Sequence, residues 1–192
     1  TLNFNNIAFM PCNPSVGGPG KGHLVREVDA LGGLIGRVTD LTHLQIRALN
    51  TQKGPAVRAL RAQVDKRRYQ EIMLGILEKE PLIMLKQGEV VSLLRRENSW
   101  RLALSTGIVV EAPAVILATG TFSRGTVHIG LSSFSSGPQG QHPAVALTRE
   151  LENNGIRFQR FKTGTPARLR RRSLNFAAMR EQPGEQTAYG FS

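Results

Sequence analysis

The 192-residue sequence predicts an α/β protein, and three observations carry that prediction. The stretch "AVILATG", residues 114–120, is a continuous apolar run ending in small residues, the pattern of a strand buried on both faces of a parallel sheet. Residues 20–31 and 55–79 place apolar side chains at three- and four-residue spacing, as amphipathic helices do. Between Pro81 and the apolar run lie short β-forming stretches, broken at Glu97-Asn98-Ser99 and Thr106-Gly107, which predict an antiparallel meander over 82–112.

Each element has its own signals. The first helix starts among glycines and Lys21, sets Leu24, Val28 and Leu31 on one face, and has Gly32 available as a left-handed stop. In the second, Pro55 suits the first helical position. Val57, Leu60, Val64, Ile72, Met73, Ile76 and Leu77 trace its buried stripe, and Arg58, Arg61 and Lys66 fall on polar positions. "LIMLKQ" and the stretches after it supply the meander strands, and residues 114–119 the buried parallel strand. Ligands of parallel sheets sit beyond the carboxyl ends of strands, which makes Thr119, Gly120 and Thr121 candidate binding positions. Residues 121–143 are rich in Gly and Ser and read as loop. "PAVALTRELENNG" predicts a helix with Val145, Leu147 and Leu151 inward and Gly155 as its stop. A strand "IRFQRF" then leads to "KTGTPARL", whose Lys, Thr and Gly suit either an anion or an ordinary turn. No G-x-G-x-x-G follows a first strand, so the sequence reads as an excerpt of a larger α/β framework.

Composition narrows the function classes. Hydrophobic residues make up 40 %, enough for a sizeable core and too many for a disordered chain. The single cysteine excludes an internal disulfide. No apolar run reaches ~18 residues and the first residues lack the order of a signal peptide, so a soluble protein of the cytoplasm or an organellar matrix, without a membrane partner, is expected. The formal net charge is +11, with arginines concentrated in "RALRAQVDKRR" and "RFQRFKTGTPARLRRR". Such a surface attracts polyanions by counterion release, and nucleic acid leads the partner classes; the alternative is a solvated charged face.

Chemistry centres on "PCNPSVGGPGKG". Cys12 stands ahead of a glycine-rich turn and near Lys21, where a helix dipole and a cation favour thiolate chemistry; an unpaired cysteine is also often a small buried hydrophobe. Gly17, Gly18, Gly20 and Gly22 permit close approach of backbone to a ligand, yet the spacing is not that of a phosphate-binding P-loop. His23, His43, His128 and His142 show no metal-ligand spacing, and no metal site is expected.

At "CNPSVGGPGKGHLVREVDALGG", "LNTQKGPAVRALRAQVDKRRY", "ILATGTF", "HIGL" and "KTGTPARL", in that order, the sequence resembles the MnmG, or glucose-inhibited division protein A, family over nearly its whole length. The resemblance implies an incomplete FAD/NAD-binding, Rossmann-like fold of the two-dinucleotide-binding-domain flavoprotein class, with an antiparallel β-meander and the start of an inserted α/β region. On that basis residues 1–155 are a partial FAD-binding domain and 156–192 begin an inserted substrate- or NAD-type domain. The implied activity is FAD-dependent addition of a carboxymethylaminomethyl-type group to carbon five of the wobble uridine of tRNA. Its partners are a MnmE-type GTPase and, for the full-length protein, a second copy in a homodimer. NADH is the implied reductant and methylene-tetrahydrofolate the carbon source.

Cys12 matches a family cysteine implicated in activity. Val90 and Ala144 match flavin-contact positions, Val90 through its backbone; a small polar residue is usual where Ala144 stands. Thr119, Gly120 and Thr121 resemble the strand end that closes over FAD, and Gly17, Gly18 and Lys21 are further cofactor candidates. Arg58, Arg61 and Lys162 are candidates for RNA or cofactor phosphates. The family's glycine-rich flavin loop and a second family cysteine have no counterpart in this sequence, so this chain alone is expected to bind FAD weakly or not at all and to lack catalysis of its own. Two rival readings are a folate- and FAD-dependent tRNA uridine methyltransferase and a non-catalytic basic RNA-binding fragment.

Overall fold

The computed structural model describes residues 1–185 and 190–192, and the chain divides into two compact units. One comprises residues 7–84 and 163–192, the other residues 1–6 and 85–162.

The first of these units is built on a three-stranded antiparallel sheet of order β1-β3-β2, with β1 at Ser15–Gly17, β2 at His43–Leu49 and β3 at Ala59–Val64. Helices α1 (Gly22–Ala30), α2 (Leu34–Thr42) and α3 (Lys66–Lys79) complete it. Its core gathers Val16, Val38, Ile46, Ala62, Val64, Tyr69, Met73 and Phe191. α1 ends as expected, with Gly32 left-handed at φ 86°. Its predicted inward face does not pack: Leu24, Val28 and Leu31 are exposed. α1 instead approaches the sheet through Gly22, whose Cα lies so close to Leu60 of β3 that a Cβ would meet the Leu60 carbonyl at 2.7 Å.

The expected single helix over 55–79 is replaced by a turn at Pro55–Val57, strand β3 and then α3. Ala62 and Val64, both almost completely buried, alternate with Arg61 and Gln63, and β3 is paired on both sides. Ladder bonds to two neighbours outweigh the helix propensity of Ala, Leu and Arg. Asp65 marks the change, its carboxylate accepting from the backbone amides of Arg67 at 3.0 Å and Arg68 at 3.1 Å as the cap of α3.

In the second unit, β4 (Val90–Arg95), β5 (Trp100–Leu104) and β6 (Val109–Ala112) form the predicted antiparallel meander, and Gly107 takes its turn at φ 86°. The first stretch expected as a strand, "LIMLKQ", has no regular structure. Helix α4 (Val145–Asn153) buries Leu147 and Leu151 against Leu93 of β4, and leaves Val145 exposed. Part of the expected loop is a hairpin, β7 (Thr126–Ile129) and β8 (Ser132–Ser135), turning at Gly130 with φ 58°.

The buried strand expected over 114–119 does not form, and Ile116 is 92 % exposed. Parallel pairing needs a neighbouring strand on at least one edge, and none lies alongside among the described residues. "IRFQRF" likewise stays outside the sheets, with Phe161 exposed.

Candidate functional site

Cys12 sits in the irregular segment ahead of β1, half-buried between Pro11 and Pro14. Its Sγ lies 2.9 Å from the Thr163 hydroxyl, a contact between residues 151 positions apart that ties "PCNP" to "KTGTP". Lys66, the first residue of α3, is the cation set against this sulfur. Its ammonium lies 4.3 Å from the centroid of the Phe9 ring. Burial holds Lys66 below its ordinary value of 10.5, the Arg168 guanidinium pushes the same way, and Cys12 opposes them. The sulfur and the hydroxyl therefore meet within one unit, with Lys66 in electrostatic reach of the sulfur and Arg168 in reach of Lys66. Thiolate chemistry asks for such surroundings: a hydrogen-bond donor and positive charge around a partly accessible sulfur.

The sequence placed Lys21 in that cationic role. Lys21 instead precedes α1 as an exposed residue, and its backbone amide donates to the Gly18 carbonyl at 3.0 Å. Gly17 and Gly18 have left-handed backbones, and Gly18 donates to the Leu60 carbonyl at 2.7 Å. A Cβ at Gly17 would run into that same carbonyl and the Phe191 ring. The close approach that these glycines permit is to the chain's own strand β3.

Arg61 in β3 lies opposite Gly17 and reaches the Ser15 hydroxyl at 3.4 Å; Arg58 follows the turn ahead of β3 and is exposed. Lys162 is exposed at the end of the other unit.

That other unit holds Val90, Ala144, Thr119, Gly120 and Thr121. Val90 opens β4 opposite Leu104, half-buried. Ala144 is buried and precedes α4; its N–H donates to the Phe122 carbonyl at 2.9 Å, and its own carbonyl accepts from the Arg124 amide at 3.2 Å and the Thr148 hydroxyl at 2.9 Å. With both backbone groups engaged and a methyl side chain, Ala144 has only van der Waals contact left to offer a ligand. Thr119 Oγ1 accepts from the Ser123 hydroxyl at 3.0 Å. Gly120 is left-handed at φ 60°, and a Cβ there would meet only Phe122, at 3.9 Å. The backbone at Gly120 is therefore exposed and open. The sequence carries no G-x-G-x-x-G loop of the kind that holds a dinucleotide pyrophosphate.

The family model described as "Glucose inhibited division protein A" matches residues 1–192. The chain belongs to the glucose-inhibited division protein A family. Among the relatives of this family is the "tRNA uridine 5-carboxymethylaminomethyl modification enzyme MnmG" of Caldicellulosiruptor saccharolyticus, 50 % identical over 192 residues, covering 100 % of this chain and 31 % of the relative. The protein of the same name from Bacillus subtilis is 50 % identical over 193 residues, with the same coverages. The crystal structure of Aquifex aeolicus GidA superposes with a TM-score of 0.92 at 39 % identity, covering 100 % of this chain and 32 % of that one. The chain thus spans about a third of the length of the family members it matches, and its mixed α/β fold is that of the corresponding part of GidA, a partial Rossmann-like flavoprotein framework.

The sequence singles out Cys12 but not its surroundings. Lys66 reads there as one more polar position on a helix, and the "KTGTP" motif carries no sign that Thr163 returns to Cys12. Among the described residues, no group of three or more His, Cys, Asp or Glu could hold a metal ion, and no helix is long and apolar enough to cross a membrane.

Proposed function

We propose that this chain supplies the reacting-thiol segment and one wall of the flavin site of a tRNA wobble-uridine modification enzyme, which adds a carboxymethylaminomethyl-type group at carbon five. The observation that carries the reading is the contact of Cys12 with Thr163 beside Lys66, within a chain that belongs throughout to the glucose-inhibited division protein A family. Relatives named as tRNA uridine 5-carboxymethylaminomethyl modification enzymes favour it over the methyltransferase reading.

The chemistry assigned to Cys12 follows from uracil. The thiolate adds to ring carbon six, and the C5–C6 π pair moves to carbon five and the neighbouring carbonyl, which makes carbon five a nucleophile. Once carbon five has gained its new bond, its proton leaves and the C6–S bond breaks, restoring the ring and the thiolate. Lys66 offsets the negative charge of the sulfur, and Arg168, which acts on Lys66, adds positive charge for nearby phosphates. FAD, once bound, supplies the hydride chemistry that side chains lack. Gly120, Thr119, Thr121, Val90 and Ala144 would line its site. NADH as reductant, methylene-tetrahydrofolate as carbon source, a MnmE-type GTPase and a second copy of the full-length protein complete the proposal. Arg58, Arg61 and Lys162 are assigned to RNA phosphates.

The test replaces the matching region of the Bacillus subtilis relative with this chain and compares the hybrid with the chain alone after gel filtration with excess FAD. The reading predicts that flavin absorbance travels with the hybrid and not with the chain alone, and that the hybrid modifies tRNA only while Cys12 is present. A folded hybrid that is colourless, or that stays active as Cys12→Ser, contradicts it.

A further inference from the structure

We infer that Thr163 is a positioning residue for Cys12, its hydroxyl donating to the sulfur as the thiolate forms and fixing the direction from which it attacks. The inference rests on Cys12 being the reacting thiol.

Three observations carry it. The Sγ–Oγ1 distance of 2.9 Å puts the sulfur and the hydroxyl in direct hydrogen-bonding contact. A hydroxyl is both donor and acceptor, so this one contact serves both states of the cysteine: the thiol donates to Thr163, and the thiolate accepts from it. The bond therefore reverses on ionisation without either side chain moving, and it strengthens because one partner is now charged. Lastly, both residues lie in irregular segments, Cys12 ahead of β1 and Thr163 within a stretch from 156 to 170 that has no helix or strand. No backbone ladder orients the sulfur, so side-chain contacts must. Lys66, at the start of α3 and in electrostatic reach of Cys12, adds attraction without direction, since an ammonium is a compact charge with rotatable donors.

Because Cys12 is the only cysteine, iodoacetamide reports on it alone. The experiment measures the second-order alkylation rate of the 192-residue chain at one fixed pH for the parent, Thr163→Val and Thr163→Ser, with thermal unfolding of each recorded alongside. Losing a hydrogen bond to a charged sulfur slows Thr163→Val about tenfold, whereas Thr163→Ser stays close to the parent. A purely structural role gives the opposite sign, because a loosened segment exposes the sulfur and speeds alkylation. A rate for Thr163→Val equal to or above the parent overturns the inference while leaving Cys12 as the reacting thiol. A parent chain that alkylates no faster than a small-molecule thiol overturns both. A second series in rising salt separates Lys66 from Thr163: the parent rate falls as attraction is screened, Lys66→Gln flattens that dependence, and Thr163→Val retains it.

Discussion

Raising salt from about 50 to about 200 mM is expected to weaken binding of tRNA to this chain by roughly 10³ to 10⁵ if six to ten phosphates are neutralised. The formal charge of +11 sets the sign, and the placement of arginines sets the size. Arg168, Arg170, Arg171, Arg172 and Arg180 lie exposed along one segment of the first unit, with Arg171 and Arg172 in a short 3-10 turn. Not every cation is available. Arg67 is paired with Glu71 at 3.0 Å, and Arg124 with Glu152 at 2.6 Å. Fluorescence anisotropy across a salt series measures the slope, and changing Arg170, Arg171 and Arg172 to Gln should lower it by about 0.9 for each phosphate that is no longer neutralised. A flat salt dependence in the parent chain would remove the RNA-binding role from this surface.

Gly17→Ala should produce the largest loss of stability of any single methyl added to the sheet of the first unit. Gly17 holds φ 82°, a conformation that costs an L-residue about 1–2 kcal/mol. The new Cβ would also sit 2.6 Å from Cζ of Phe191, and closer still to the Leu60 carbonyl. Backbone cannot yield as a flexible side chain does, so overpacking adds about 1–3 kcal/mol. Together these amount to about 2–5 kcal/mol, a large share of the stability of an ordinary domain. Denaturant unfolding of Gly17→Ala, Phe191→Ala and the double variant checks the account. Phe191→Ala alone costs about 3–5 kcal/mol as a large buried ring is lost. The double variant should fall short of the sum, because removing the ring relieves part of the clash. Strict additivity, or a Gly17→Ala chain as stable as its parent, contradicts the packing described.

Some of this architecture was legible because its signals are local. The helix that ends at Gly32 and the meander with its turn at Gly107 each depend on residues within one element and its cap. The helix expected over 55–79 shows the limit. Ala, Leu, Arg and Gln favour a helix on their own, and only the two flanking strands make β3 extended. The alternation of Ala62 and Val64 with Arg61 and Gln63, together with the capping Asp65, was the available signal. "AVILATG" is the converse case: an apolar run suited to a parallel sheet, with no partner strand among the described residues to make it one. At the candidate site, Cys12 stood out by its uniqueness. Thr163 and Lys66 are unremarkable in sequence, and what makes them matter is a meeting of distant segments that no local pattern encodes.

If Cys12 faces the uridine to be modified, bound RNA protects that thiol from alkylation. The chain is alkylated with iodoacetamide in the presence of an anticodon stem-loop carrying uridine at the wobble position, or the same stem-loop carrying cytidine there, with binding of both confirmed by anisotropy. The uridine stem-loop is expected to slow alkylation in proportion to its occupancy, and the cytidine stem-loop, equally bound, to do so far less. Equal rates with and without the uridine stem-loop, while it is bound, would place Cys12 away from the substrate and contradict the account.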